Sequence, residues 1–511
     1  MPDRLQSYPI QFQGGLVTNL PALQQGLQLP GSARLLINME PSVDGGYRKI
    51  RGFDKFDSNA VTGTGLMRGI VEYRQRVFAA RNTHLYRSSG SGWTQITDNA
   101  SFSSTGITLG GVSSVKVRFT KIKFGTDKKI VIFDSTNKPL VFDNTTLSRL
   151  TGAPTEADGA AIGIEYKNHL FMAKDSFLVF SAPFDETDFT PASGAGTITL
   201  EDEITGLAIF RQQLVIFTKR SIKVLAGSSL ADFQIQPITD DLGCVEFDTV
   251  QEFGGDIVFM GPDGLRLLSG TDRNNDLGLG VISKPIQSET NEFMSFSSSF
   301  HSMVLRDKSQ YRVFGFNSSF TNDSSRGIIA TQFSQQGSDS IVWAETRGIN
   351  AYVCYSEYVN DQEEFYFAND DGFVYELEVE NSFDGADIPF SFATPFLPIT
   401  DPVTRKTIHS VDIYLDPQGS YNFDLSVRYD FNDPDIIQPP KVNIQNTTVG
   451  VALFGGSQFG TATFGGNVRN LKTAKVTGSG DVTSLLFEGK STDPPFAFDS
   501  VVIQYGQYGR R

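Results

Sequence analysis

The chain has 511 residues, of which 39% are hydrophobic and 12% aromatic, with a formal net charge of −15 and a pI near 4.8. This length exceeds one ordinary domain unless one domain is a large closed β structure. Because non-specific nucleic-acid binding depends on Lys and Arg displacing counterions, the acidic balance argues against it as the main activity. With Cys244 and Cys354 as the only cysteines, a disulfide framework is excluded, and both are expected to be buried apolar residues.

The N-terminal residues contain no apolar stretch long enough for a signal peptide. No window of the sequence approaches the ~18 apolar residues of a membrane helix. We therefore expect synthesis in a cytoplasm, no membrane segment, and export, where it occurs, by other means.

The segment from Pro30 to Phe53, PGSARLLINMEPSVDGGYRKIRGF, is a basic island in an acidic chain. Its two turn signals are Pro30-Gly31 and Gly45-Gly46, and a short packing run separates them. The basic residues Arg48, Lys49 and Arg51 follow. They are interpreted as a solvated basic turn, as a patch that pairs with an acidic neighbour or, as the least favoured reading, as a direct contact with DNA.

Pairs of short apolar runs dominate the middle of the chain and recur at intervals of roughly 40 to 55 residues. Short polar linkers such as STNK, PDG and DDG join the two runs of most pairs, which is typical of β-hairpins. Hairpins at this period predict a β-propeller of six or seven blades. Runs such as IVIF and LVIF are apolar throughout, as middle strands covered on both faces should be. The first runs of the pairs begin at Arg76, Ile130, His169, Leu214, Ile257, Tyr311 and Phe365.

A second pattern begins near residue 386, after which the runs alternate apolar and polar residues. This alternation predicts a smaller antiparallel β domain. Between its strands lies FGGSQFGTATFGG, with Phe454, Phe459 and Phe464 at regular spacing. These aromatics are interpreted either as plugs that pack within the domain or as a docking segment that inserts into a neighbouring subunit. We divide the chain into residues 1–60, 61–385 and 386–511.

The sequence offers little that indicates catalysis. It has no CxxC, HExxH or Walker A pattern, and no cofactor is predicted. The acidic stretch from Asp272 to Ser283 imitates a calcium loop, but Leu277 replaces the turn glycine and Ser283 the bidentate glutamate, so a plain polar turn is favoured. Adjacent carboxylates, as in Asp370-Asp371-Gly372, are favoured as turns over a glycosidase pair. The four histidines are scattered and are expected to be structural: His84, His169, His301 and His409.

The leader from Gly14 to Phe53 resembles the N-terminal region of the tail nozzle proteins of short-tailed bacteriophages, also called tail hub or packaged-DNA stabilisation proteins. The shared pattern is LPG-A---IN----GG-R-R-G, followed by a propeller of weakly similar blades. The FGG…TFGG stretch and the closing SVVIQYGQYGRR also look like that group. In this sequence the pattern falls on Leu29-Pro30-Gly31, Ala33, Ile37-Asn38, Gly45-Gly46, Arg48, Arg51 and Gly52.

The resemblance implies a structural virion protein, not an enzyme. It would form a ring, usually of six copies, below the head–tail adaptor, with terminal segments packed together as a platform. Further partners would be tail fibres or tailspikes and double-stranded DNA that passes without tight binding. An acidic ring multiplies its charge and should keep DNA off its wall. The alternative is a propeller-type carbohydrate-binding or glycan-degrading tail component. The predicted assembly residues are Arg34, Asn38, Arg48, Arg51, Phe454, Phe459 and Phe464.

Overall fold

The computed structural model describes residues 5–112, 114–269, 280–319, 321, 324–335, 338–446 and 470–510. Within these ranges the protein is all-β, as predicted, with two α-helices and six single-turn segments. The N-terminal elements are β1 (Gln6–Gln11), α1 (Ala22–Gln28), β2 (Leu35–Ile37), β3 (Met39–Pro41), β4 (Tyr47–Lys49) and β5 (Phe53–Lys55). The single-turn segments are Ala100–Phe102, Thr155–Ala157, Pro191–Ser193, Phe247–Thr249, Lys284–Ile286 and Asp430–Asn432.

Four antiparallel sheets of four strands follow one another along the chain and form the first four blades of a β-propeller. The first blade contains β6 (Met67–Glu72), β7 (Val77–Arg81), β8 (His84–Ser88) and β9 (Trp93–Gln95). The second contains β10 (Arg118–Phe124), β11 (Asp127–Phe133), β12 (Leu140–Phe142) and β13 (Leu147–Arg149). The third contains β14 (Ile162–Tyr166), β15 (His169–Lys174), β16 (Phe177–Phe180) and β17 (Gly196–Thr199). The fourth contains β18 (Ile204–Phe210), β19 (Gln213–Thr218), β20 (Ile222–Ala226) and β21 (Gln234–Thr239).

Two further sheets complete the six-blade arrangement. The fifth blade contains β22 (Gln251–Phe253), β23 (Asp256–Gly261) and β24 (Gly264–Leu267), and helix α2 (Gln287–Phe296) follows it. Strands β25 (Ser299–Leu305), β26 (Gln310–Phe316), β27 (Arg326–Gln335) and β28 (Ser338–Arg347) come next. The sixth blade contains β29 (Val353–Val359), β30 (Gln362–Ala368) and β31 (Val374–Leu377), and β5 from the leader is its outer strand.

Strands β25–β28 join the propeller to the rest of the protein. Strand β25 contacts the inner strands of both the fifth and the sixth blade, so this sheet lies against the six-blade arrangement between those two blades. Its outer strand β28 pairs with β2 of the leader, which extends it into a nine-stranded sheet. The leader therefore contributes β2 to this sheet and β5 to the sixth blade.

The remaining strands form a separate β domain, here called the platform, from both ends of the chain. They are β32 (Ile388–Ala393), β33 (Thr404–Pro417), β34 (Tyr421–Tyr429), β35 (Val442–Asn446), β36 (Asn470–Lys475), β37 (Ser479–Gly480), β38 (Thr483–Ser491) and β39 (Phe496–Arg510). One platform sheet is the far half of the nine-stranded sheet, in the order β2-β32-β38-β34-β35. The other has the order β3-β4-β39-β33-β36, with β1 on β39 and β37 on β33. The predicted platform of N- and C-terminal segments is confirmed.

Apolar layers between neighbouring sheets hold this architecture together. In the first blade β7 is buried along its whole length, because blades cover it on both faces. Phe78 from β7 packs edge-to-face on Phe142 of the second blade, with ring centroids 5.6 Å apart. In the platform, Phe392 from one sheet and Phe498 from the other meet in an aromatic core that also contains Phe12 of the leader. The leader therefore contributes core residues to the platform.

Candidate functional site

The leader is built into the protein by close backbone contacts at its glycines. A Cβ on Gly31 would lie 2.0 Å from the carbonyl oxygen of Gln11, and one on Gly52 would lie 1.8 Å from that of Ser382. Gly46 turns the β3–β4 hairpin at φ 79°, where a side chain is also strained. Contacts within this chain are therefore sufficient to explain why these positions are glycine.

Asn38 lies at the centre of the joint between leader, propeller and platform. It has no exposed surface and a left-handed backbone at φ 52°. Its amide nitrogen donates to the carbonyl oxygens of Arg347, at 3.0 Å, and Pro389, at 2.7 Å. Its amide oxygen accepts from the Thr346 hydroxyl, at 2.9 Å, and the Arg347 backbone, at 2.8 Å. This predicted assembly residue therefore has no surface with which to contact another molecule.

The leader's basic residues have different environments. Lys49 is buried and donates to the carbonyl oxygens of Ser491 and Asp493, each at 2.8 Å. Burial lowers its pKa to about 8, against the raising effect of the Asp493 and Asp387 carboxylates. Arg34 is half-buried, and its guanidinium donates to the Leu20 carbonyl and to the Gln25 side chain, each at 3.1 Å. The hydrogen-bond partners of Lys49 and Arg34 all belong to the same chain.

Arg48 and Arg51 are the predicted residues that reach the surface. The Arg48 guanidinium lies 4.0 Å from the Asp416 carboxylate, and both side chains are partly exposed. Arg51 is exposed and donates to the Glu378 carbonyl oxygen at 3.1 Å. Phe454, Phe459 and Phe464 lie outside the described residues, as do residues 272–279 of the calcium-like loop.

A buried ion network connects the leader to the propeller. Arg312 of β26 is fully buried and forms ion pairs with Glu40 of β3, at 2.7 Å, and with Glu378, at 2.8 Å. Lys308 contacts the same two carboxylates at 2.6 Å each. Burial alone would raise the pKa of Glu378, but Lys308 and Arg312 lower it to about 2. Sequence reasoning missed this network, because its members are far apart in the chain.

A second buried network crosses the propeller axis. Lys116, just before β10, forms an ion pair with Asp248, just before β22, at 2.9 Å, and donates to the Phe300 carbonyl at 2.7 Å. Arg118 contacts Asp248 through two nitrogens, at 2.8 and 2.9 Å. Burial alone would raise the pKa of Asp248, but Arg118 and Lys116 hold it well below its usual range. The network thus connects the starts of the inner strands of the second and fifth blades.

A groove of about 1060 Å³ lies beside the leader. Its lining comes from β1, the turn around Pro30, the β3–β4 hairpin and β39, together with Val342 of β28. The charged side chains on its lining are Asp44, Arg48, Asp416 and Asp499, so the groove is acidic apart from Arg48. Much of its lining comes from the leader.

The adjacent carboxylates of the propeller have structural contacts. Glu363, next to Glu364, accepts from the backbone nitrogens of Arg306 and Asp307, and Asp371 accepts from the Tyr375 hydroxyl. Burial lowers the pKa of His301 to about 3. Cys244 and Cys354 are buried, as expected. Among the described residues no group of three His, Cys, Asp or Glu could hold a metal ion, and no helix is long and apolar enough to cross a membrane.

No family model and no curated protein matches the chain. Among solved structures it is similar to the extracellular domain of a hybrid two-component system of B. thetaiotaomicron, with a TM-score of 0.38 and 11% identity over 62% of this chain and 40% of that one. It is also similar to PorZ of the type-IX secretion system of Porphyromonas gingivalis, with a TM-score of 0.37 and 14% identity over 64% of this chain and 38% of that one. An exo-β-1,3-galactanase from Phanerochaete chrysosporium has a TM-score of 0.27 and 11% identity, over 89% and 100% of the two chains. The chain spans about two fifths of the first two proteins.

Proposed function

We propose that the chain is a structural virion protein, the tail nozzle of a short-tailed bacteriophage. Copies would form a ring below the head–tail adaptor and extend the DNA channel. The observation that carries the proposal is the platform itself. A leader of the nozzle type supplies β1 to β4 to the platform sheets and lines the groove beside them.

The arrangement suits a docking role. The platform presents strand edges and a groove, while the leader is anchored by the Glu40–Arg312 pair and by Asn38. A partner bound in the groove would therefore be connected to the propeller through these buried contacts. Closed rings use heterologous contacts, in which one surface of a subunit meets a different surface of the next.

The test is assembly with the head–tail adaptor of the same virus, followed by mass photometry and electron microscopy. We expect the chain alone or with the adaptor to form rings with the platform toward the adaptor. Removing the leader is a poor test, because Asn38 and Glu40 lie in the core. The charge reversals Arg48→Glu and Arg51→Glu change the leader surface instead, and we expect them to weaken attachment.

The matched control is Arg220→Glu, which makes the same charge change on an exposed propeller turn. It should leave attachment unchanged. A stable monomer that ignores the adaptor and binds or cleaves a host glycan would refute the nozzle proposal and favour the carbohydrate-directed alternative.

A further inference from the structure

The first hairpin turns of the propeller sheets meet at one face of the molecule, here called the turn face. Hydrogen bonds connect neighbouring turns around the axis. The Gln75 amide nitrogen donates to the Asn360 side chain at 3.0 Å, which joins the first and sixth blades. Arg74 donates to the Lys128 carbonyl at 3.3 Å, and the Tyr166 hydroxyl to the Gln212 carbonyl at 3.1 Å. These bonds join the first blade to the second and the third blade to the fourth.

Exposed cations occupy this face in four consecutive blades, although the chain as a whole is acidic. We call this set the cationic arc: Arg74, Lys123, Lys128, Lys167 and Arg211. Within the described part of the chain, none of the five forms an ion pair with a carboxylate at up to 4.0 Å, whereas their neighbours Lys121 and Lys129 do. Among the described residues, the arc therefore presents five cations that have no carboxylate at ion-pair distance.

The turn geometry shows that these cations are placed at a cost in stability. Arg74, Lys167 and Arg211 each occupy the first position of a two-residue turn at φ 52°, 49° and 49°. A left-handed backbone costs a residue with a side chain about 1–2 kcal/mol relative to glycine. The same chain uses Gly125, Gly254 and Asn360 at the corresponding positions of the second, fifth and sixth blades. The first, third and fourth blades thus carry a cation where a residue that tolerates this backbone is available to the fold.

Two further features concern the placement of these cations. Lys123 and Lys128 are directly opposite in the β10–β11 pair, where like charges destabilise a sheet. The cations of the three strained turns lie over the aromatic ring just before them. The distances to the ring centroids are 5.4 Å for Arg74 over Tyr73, 5.8 Å for Lys167 over Tyr166, and 4.8 Å for Arg211 over Phe210. The rings hold the charged ends in place while leaving them exposed to solvent.

We propose that the cationic arc binds the phosphate backbone of duplex DNA. Exposed Arg and Lys side chains on four consecutive blades, without carboxylate partners at ion-pair distance among the described residues, suit a polymer of evenly spaced negative charges. A protein partner would instead require an apolar centre to its interface. The exposed side chains at the turn positions are polar. The large apolar side chains exposed beside them are Ile209 and Tyr358, each two positions before its turn.

This inference deepens the proposed function and rests on it for the source of the DNA. It would make the contact with transiting DNA weak, local and sensitive to salt, on a surface that otherwise repels DNA. The binding is a property of the purified chain, so it can fail while ring assembly with the adaptor stands, and ring assembly can fail while the binding stands.

The experiment measures the anisotropy of a fluorescent DNA duplex against protein concentration at several salt concentrations. The arc variant is Arg74→Asn, Lys167→Asn and Arg211→Asn, because asparagine tolerates the left-handed backbone. Three lost phosphate contacts should lower the slope of log affinity against log salt by about 2.7, at about 0.9 for each contact. Between 50 and 200 mM salt, this difference corresponds to about a fortyfold change in affinity.

The variant should also melt at a higher temperature than the wild type, since the strain of three turns is relieved. A residue set kept only for folding would not show weaker binding together with higher stability. The control is Lys174→Asn, Lys219→Asn and Arg220→Asn in the turns at the opposite face, with the same charge change, and it should keep the wild-type slope.

The proposal is overturned if the wild type does not bind duplex at low salt, or if the arc variant keeps the wild-type slope. It is also overturned if poly-glutamate competes with the duplex as well as unlabelled duplex does at equal charge, because an acidic protein surface would then fit the arc equally well.

Discussion

The substitution Asn38→Ala tests whether the leader is a structural joint. It removes an amide that pairs with two carbonyl oxygens, one backbone nitrogen and one hydroxyl, all in a site without exposed surface. Each buried group left without a partner costs about 1–3 kcal/mol. If water reaches two of these four partner groups, the lost hydrogen bonds alone lower the free energy of unfolding by about 4 kcal/mol.

Asn38→Gly separates the hydrogen bonds from the backbone. Glycine accepts φ 52° without strain, so this variant should lose the hydrogen-bond part alone. Asn38→Ala should then be less stable than Asn38→Gly by about 1–2 kcal/mol. The control is Asn360→Ala, which has the same kind of backbone at φ 50° in an exposed turn. It should show little more than the backbone effect.

Urea unfolding followed by tryptophan fluorescence measures these differences. Trp343 is buried in β28, the strand that pairs with β2 beside Asn38, so it reports on the joint. A lower midpoint at an unchanged slope indicates a loss of stability. The reasoning is refuted if Asn38→Ala unfolds within about 0.5 kcal/mol of the wild type, a change typical of an ordinary surface substitution.

Three further predictions concern packing and charge. Gly52→Ala should lower the free energy of unfolding by about 1–3 kcal/mol, because the new Cβ clashes with the Ser382 carbonyl. Gly45→Ala has open space around it and should show only backbone strain. Equal urea midpoints for the two variants would contradict this. The pKa of Glu378 is lowered to about 2, so its contribution to stability is present above about pH 4.5 and is lost as the pH falls toward 2. In the Glu378→Gln variant, the urea midpoint should therefore change less with pH across this range. A pH profile equal to that of the wild type would count against the network. Asp248→Asn leaves Lys116 and Arg118 buried without a full partner and should cost about 3–5 kcal/mol, measured by thermal unfolding; an unchanged melting temperature would exclude a structural role.

The propeller was predictable from sequence because its signal is local and repeated. The predicted runs IVIF and LVIF are β11 and β19, and a short turn connects each to the next strand of its blade. The nine-stranded sheet was not predictable. It depends on the pairing of Ile37 with Glu345 and of Leu36 with Phe392, contacts between residues more than 300 positions apart.

The sequence contains a local pattern at the three strained turns of the cationic arc. The sequences YRQR, YKNH and FRQQ each place a basic residue directly after an aromatic one, at the end of a strand that begins a blade. The linkers inside the apolar pairs lie at the opposite ends of the blades, so they carry no information about these turns. Overall charge also concealed the arc, because a net charge of −15 does not show how charge is distributed over one face.

The position of the leader residues changes what the nozzle-type pattern can indicate. Gly31, Asn38 and Gly52 are required by contacts within this chain, so the pattern identifies the joint between propeller and platform. The groove rim, with Arg48 and Asp416, is the part free to match a partner. A joint variant should therefore lower stability, and assembly only as a consequence. Arg48→Glu should leave stability nearly unchanged, because a partly exposed pair contributes about 0–1 kcal/mol, and should affect adaptor attachment alone.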